Sequence, residues 1–277
     1  MGRPYPEWFL RVNSALVLVA VALALTYVSP HTFAVLITVF IAAMAWEWGR
    51  LVRGKGFDAV FGVQLAATAI ASWTTVNGYP GCAIFMVIGG GAAVFLIRAW
   101  SDGVRAAWWS SAGVYYAGFP AVALIWIRGD AAYGWLAILY IFAIVWTTDT
   151  TAYVFGRMIG GPKLAPRISP KKTWSGFLGG ALCAALVGAI FALCMGETSM
   201  IKLALLSFAL AVASQAGDLG ESAMKRIFGT KDTSSLIPGH GGVLDRIDGL
   251  ILVAFAAALV GWVIDPAQPG RALLVWS

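Results

Sequence analysis

Between Ser214 and Lys225, the residues Asp218, Glu221, Ser222 and Lys225 recur at the spacings of a helix face, and Asp245 and Asp248 follow three residues apart. At about 100° per residue the first set makes one polar stripe, with Gln215 at its edge, and the second pair shares one side of a helical turn. Carboxylates gathered with hydroxyls are hard oxygen donors, the kind that hold Mg²⁺ while it keeps waters and bridges phosphate oxygens. Lys225, Arg226, Lys231 and Arg246 are threaded through the same stretch and would bring positive charge to such phosphates. Simpler uses of these residues compete: an ion pair of Asp218 or Glu221 with Lys225, or Asp245 and Asp248 as helix N-terminal acids with Arg246 as partner.

Between the two acidic sets lies Pro238-Gly239-His240-Gly241-Gly242. Glycines around a histidine let backbone N–H groups cradle phosphate oxygens, though a plain turn between helices would use the same glycines. His240 could donate to a phosphate or brace the loop. A second loop carries Ser169-Pro170-Lys171-Lys172-Thr173 just ahead of an apolar run, where lysines and free helix N–H groups suit an anion, though positive-inside retention with a Ser cap would use the same residues. Upstream, Asp149 with Tyr153 one turn on and Gly156 two turns on puts another carboxylate on a small-residue face, either supporting the site or making a helix-packing hydrogen bond.

The elements that must position these islands are almost wholly apolar. The chain is 60% hydrophobic and 12% charged, with mean hydropathy +0.82. That is more apolar surface than 277 residues can hide in a soluble globule, so an all-α integral membrane protein is expected. Windows able to cross about 30 Å of hydrocarbon fall near 12–28, 32–49, 59–76, 81–99, 108–127, 134–156, 174–195, 200–218 and 249–264, giving about nine transmembrane helices. A carboxylate facing lipid costs about 2.5–3.5 kcal/mol, so the stripe bearing Asp218 must face protein or water. With a cytoplasmic N-terminus, 16 of the 19 Lys and Arg lie on inside segments and only Arg128, Lys202 and Arg271 outside, which places the C-terminus outside.

Residues 1–130 read as a scaffold of transmembrane helices, and 131–277 as a catalytic transmembrane region with cytoplasmic loops 157–173 and 226–248. Neither loop is long enough to fold alone, so the active site is expected at the cytoplasmic ends of the C-terminal helices. The net charge of +6 then faces anionic headgroups and nucleotides rather than nucleic acid. Cys82, Cys183 and Cys194 support neither a disulfide framework nor a zinc site. Gly89-Gly90-Gly91 lacks the strand–turn–helix setting of a nucleotide motif and reads as a packing surface. Gly176, Gly179, Gly180 and Ala184 form another small-residue face, able to meet a helix of this chain or of a homodimer partner.

From Ser222 to Asp248 the chain resembles the phosphatidate cytidylyltransferase signature, through Ser222, Met224, Lys225-Arg226, Lys231-Asp232, Ser234, Ile237-Pro238, His240-Gly241-Gly242, Val243, Asp245-Arg246, Ile247 and Asp248. Every required position is filled. Gln215, Gly217-Asp218-Leu219, Glu221, Ser169 to Thr173, and Asp149 with Ala152-Tyr153 and Gly156 look like the family's companion elements. Up to about residue 130 the resemblance rests on length and hydropathy. It implies a nucleotidyltransferase of a bacterial-type inner (cytoplasmic) membrane, making CDP-diacylglycerol and pyrophosphate from CTP and phosphatidate in phospholipid biosynthesis. Mg²⁺ is the implied cofactor, with a monovalent cation as a further expected companion.

On this resemblance Asp218, Asp245 and Asp248 would hold metal, with Asp149 and Glu221 as further candidates. Lys225 and His240 join the three aspartates as catalytic residues, while Ser169, Lys171, Lys172, Ser222, Arg226, Lys231, Gly241, Gly242 and Arg246 would bind substrate. A CTP-dependent polyprenol or lipid kinase and a membrane transporter are the competing readings. Against the transporter, the charges gather at one membrane face and no internal repeat is evident.

Overall fold

The computed structural model describes residues 7–237 and 241–276, with side chains from residue 16 onward. Its elements in chain order are α1 (Glu7–Val28), α2 (Pro30–Arg53), α3 (Ala59–Val76), α4 (Pro80–Asp102), α5 (Val104–Arg128), α6 (Gly134–Met158), β1 (Lys163–Ala165), β2 (Ser169–Thr173), α7 (Trp174–Met195), α8 (Met200–Ile227), α9 (Leu244–Ile264) and α10 (Pro269–Leu274). The eight helices α2 to α9 are each long and apolar enough to cross a membrane, and α1 adds an apolar stretch at Leu16–Val28. Each expected window therefore falls within a helix of an integral membrane protein.

The all-α architecture holds, with one short exception in a loop. Loop 157–173 contains an antiparallel hairpin in which β1 and β2 pair Lys163 with Thr173 and Ala165 with Ser169. The Ile168 N–H donates to the Ala165 carbonyl at 3.1 Å, closing a turn whose second residue is Pro166, where the fixed φ of proline suits the geometry.

The chain falls into two compact units, Met1–Ile125 with Phe228–Ile247, and Trp126–Ile227 with Asp248–Ser277. In the first, α2 opens on a reciprocal cap: the Thr32 N–H donates to Ser29 Oγ at 3.0 Å and the Ser29 N–H to Thr32 Oγ1 at 3.1 Å, with Pro30 at the first helical position. It closes on Gly54 at φ 71, a left-handed conformation that glycine adopts without penalty. Asp58 then caps α3 by accepting from the Phe61 N–H at 2.8 Å. The glycine run of α4 is a packing surface as expected, since a side chain on Gly90 would strike Ala67 and one on Gly91 would strike the Tyr115 ring. Buried Gln64 donates to the Gly113 carbonyl at 2.9 Å, and Trp48 Nε1 to the Trp109 carbonyl at 2.8 Å, so α5 is held by polar as well as apolar contacts.

In the second unit α7 is inside out by the standards of a soluble helix. Gly176, Gly180, Ala184, Gly188 and Ala192 are buried at four-residue intervals, while Leu178, Leu182, Leu186, Ile190 and Leu193 are exposed. In hydrocarbon this arrangement is favourable, because lipid solvates the large side chains and small ones let helix backbones approach. A Cβ on Gly176 would lie 2.6 Å from the Ala152 carbonyl oxygen and one on Gly180 3.0 Å from that of Thr148. The small-residue face therefore meets α6 of the same chain. Fully buried Tyr140 and Ser207 share a 2.6 Å hydrogen bond between α6 and α8, and Gln215 Nε2 donates to the Phe177 carbonyl at 3.1 Å.

Candidate active site

The stripe on α8 forms as its spacing requires, and two glycines decide how closely the second unit packs around it. A Cβ on Gly217 would stand 2.5 Å from the Asp248 carbonyl oxygen, and one on Gly249 2.5 Å from Ser214 Oγ. With no side chain between them, α8 and α9 approach backbone to backbone. The charges that act on Asp248 are, in order, those of Asp218, Glu221 and Asp149, so carboxylates from α6, α8 and α9 share one neighbourhood. Glu221 is buried, Asp218 and Asp248 are half-buried, and Asp149 is exposed.

Such crowding of like charge is unfavourable unless cations answer it. Lys172 Nζ lies 2.5 Å from Asp218 Oδ2, and Lys225 Nζ lies 2.6 Å from Glu221 Oε2. Of the two candidate partners for Lys225, the structure selects Glu221, while the lysine for Asp218 comes from β2. Ser222 Oγ donates weakly to Asp218 Oδ1 at 3.4 Å. Thr173 ends β2 and caps α7 by accepting from the Gly176 N–H at 3.2 Å, which leaves Lys171 on the exposed side of the strand and Lys172 on the side of the acids. Ser169 serves as a hairpin residue, and Arg226 Nε reaches the Ile168 carbonyl at 3.4 Å.

The remaining signature residues belong to the first unit. Asp245 Oδ2 accepts from the Gly242 N–H at 2.9 Å, the Thr233 N–H at 3.2 Å and Thr233 Oγ1 at 3.0 Å. Gly241 sits at φ 86, where other residues are strained, and Gly242 has no room for a Cβ, which would strike the Thr233 hydroxyl and lie 2.7 Å from Glu47 Oε1. Lys231 and Arg246 are exposed. His240 lies outside the described residues.

Sequence reasoning missed Glu47. It is fully buried on α2, and its carboxylate accepts from the N–H groups of Val243 and Leu244 at 2.8 Å each and from Ser234 Oγ at 2.5 Å, with Thr233 Oγ1 3.4 Å away. One signal was present: Glu47 is the sole acidic residue of α2, and an ionisable group in an apolar helix calls for a partner.

Among the described residues, no three His, Cys, Asp or Glu side chains close into a ready-made metal cage. Fold and site together define an integral membrane protein that gathers carboxylates and lysines around the C-terminal end of α8. The chain belongs to the cytidylyltransferase family, which it matches over residues 9–264. It is 40% identical over 264 residues to the phosphatidate cytidylyltransferase of Brucella abortus, covering 91% of this chain and 92% of that protein. The Brucella suis protein of the same name is 40% identical over 273 residues, covering 94% and 95%, and that of Haemophilus influenzae 33% identical over 277 residues, covering 87% and 93%. These matches extend through the first half of the chain, where the signature offered nothing.

Proposed function

We propose that this protein transfers the cytidylyl group of CTP to phosphatidate, giving CDP-diacylglycerol and pyrophosphate in phospholipid biosynthesis. The observation that carries the reading is similarity, along nine-tenths of both chains, to proteins named phosphatidate cytidylyltransferase. A phosphatidate oxygen bonds to the α-phosphorus of CTP while the bond from that phosphorus to the β-phosphate oxygen breaks, and pyrophosphate leaves in line. A phosphomonoester is largely dianionic at neutral pH, so the attacking oxygen needs no strong general base. What the reaction needs is charge compensation, because three phosphates and an anionic lipid must meet.

The donor set of the second unit fits Mg²⁺, a hard ion that keeps its waters and takes one or two protein carboxylates together with substrate phosphates, rather than a closed protein cage. Asp218 and Asp248 are the proposed ligands, with Glu221 and Asp149 beside them. When bound, the ion would neutralise charge developing on the phosphates. Lys172 and Lys225 offset the acids in its absence and are poised to turn to phosphate oxygens. Lys231 and Arg246 are assigned to the nucleotide, and Asp245 to the metal, on the strength of the signature alone. The distribution of Lys and Arg supports a cytoplasmic N-terminus, an external C-terminus and catalysis at the cytoplasmic face of the inner membrane.

The test is pyrophosphate release by purified protein in detergent, with CTP, Mg²⁺ and phosphatidate omitted in turn and with diacylglycerol replacing phosphatidate. Release that requires all three and yields CDP-diacylglycerol is expected. Phosphorylation of diacylglycerol instead would identify a lipid kinase and overturn the proposal.

A further inference from the structure

We propose that Glu47 is a positioning residue for nucleotide binding, acting through the signature segment that it holds. The proposal rests on the reading above that Lys231 and Arg246 bind the nucleotide and Asp245 its metal. Its physical basis is the start of α9. The residue before the first helical position is Val243, which has no side-chain oxygen to accept the orphan N–H groups of the first turn. Glu47 supplies that oxygen from a different helix, taking the Val243 and Leu244 N–H groups at 2.8 Å, one on each carboxylate oxygen. A carboxylate at a helix N-terminus is also favoured by the helix dipole.

Oε1 also takes the Ser234 hydroxyl, while the Thr233 hydroxyl, 3.4 Å from Oε2, gives its single proton to Asp245 Oδ2 at 3.0 Å. Glu47 thus fastens residue 234 and residues 243–244, beside the threonine that holds Asp245. Three protein donors converge on this fully buried carboxylate. Its substitution should therefore change where the segment sits, not how the helices pack.

Glu47→Gln keeps the shape but replaces one acceptor oxygen with a donor that faces other donors. In detergent with saturating phosphatidate, kcat/KM for CTP should fall about tenfold to a hundredfold, as when a residue orienting a binding group is lost. The KM for phosphatidate should be unchanged, hydrogen exchange at the Val243 and Leu244 amides should speed up, and Ser234→Ala, harmful in the wild type, should add nothing in the Glu47→Gln background. Faster exchange with wild-type CTP kinetics would overturn the proposal, as would an equal loss toward both substrates accompanied by a lowered melting temperature. If Glu47→Gln does not fold, Ser234→Ala and Thr233→Val decide alone, and wild-type CTP kinetics in both would overturn it. Lys231→Ala separates the two levels of inference. A wild-type KM for CTP there removes the nucleotide reading of the segment, whereas a raised KM there with an unaffected Glu47→Gln removes only the positioning role.

Discussion

Asp248 and Asp218 lie in one acidic neighbourhood but keep different company. Asp218 has Lys172 at 2.5 Å, whereas the contact shown for an Asp248 oxygen is the Gly249 N–H at 2.8 Å. Asp248→Asn preserves size and that contact while removing the charge that a metal-bound nucleotide would meet. Its kcat should fall by roughly 10²–10³-fold, the scale of losing one preorganised electrostatic group, with elution volume and melting temperature unchanged. A wild-type rate would take Asp248 out of the reaction. Asp58, outside the spans, caps α3 and pairs with Arg53. Partial burial pushes its carboxyl up, but hydrogen bonds from Arg53 at 2.7 Å and from the Phe61 N–H at 2.8 Å, together with the nearby Arg53 and Arg98 charges, outweigh this and hold it below the usual carboxylate range. A depressed folded-state pKa stabilises above the unfolded value, near 3.8, and the contribution is lost as pH falls through the folded value. Asp58→Asn should therefore lower the melting temperature at pH 7 by the equivalent of about 1 kcal/mol, with the gap from wild type closing below about pH 4. A gap that stays constant with pH would show that the charge contributes nothing.

At the scale of the element, α7 predicts a reversal of the ordinary substitution rule. Gly188 packs so closely on α8 that an added Cβ would strike the Ser207 side chain and stand 2.8 Å from the Leu203 carbonyl oxygen. Gly188→Val should cost about 1–3 kcal/mol through overpacking, read as earlier thermal unfolding in detergent. Exposed Leu186→Ala should be silent in the same assay, and a destabilised Leu186→Ala would mean that this face is covered by protein rather than lipid. The helices were legible because a span is a long uniform signal, and the stripe from Ser214 to Lys225 was legible because its geometry is local to one helix. The hairpin was not, since strands of three and five residues, the longer one holding Pro170, fall below any periodicity. Glu47 escaped for a different reason. Its hydrogen-bond partners lie 187 to 197 residues away, and nothing in a helical pattern announces a contact at that range. The choice of Lys172 for Asp218, with Lys225 left to Glu221, likewise depends on where the hairpin sets β2 and not on spacing along α8.

For the whole molecule, the decisive question is sidedness, because every cationic residue assigned to phosphates must meet CTP on the cytoplasmic side. The argument rests on asymmetry: 16 of 19 Lys and Arg fall on segments that an N-terminus-inside arrangement of nine spans leaves inside. Each basic residue near an anionic leaflet gains about 1 kcal/mol, so the arrangement that holds most of them at the cytoplasmic surface is favoured many times over the inverted one. Single cysteines make this measurable. The native Cys82, Cys183 and Cys194 would first be replaced, since Cys82 and Cys194 are exposed and would react on their own. Exposed positions Lys55 and Ser235 should then be labelled by a membrane-impermeant maleimide only from the cytoplasmic side, and Asn77 and Ala267 only from the other. The pairs Lys55 with Asn77 and Ser235 with Ala267 each bracket one span, α3 and α9 respectively, so each pair must split across the membrane if that helix crosses it. Labelling of Lys55 and Ser235 from opposite sides would require an odd number of crossings between them, against the six counted from α3 to α8. That outcome would set loop 50–58 and the signature segment on different faces, so one of these two basic loops would lie outside and the count of 16 inside residues would fall.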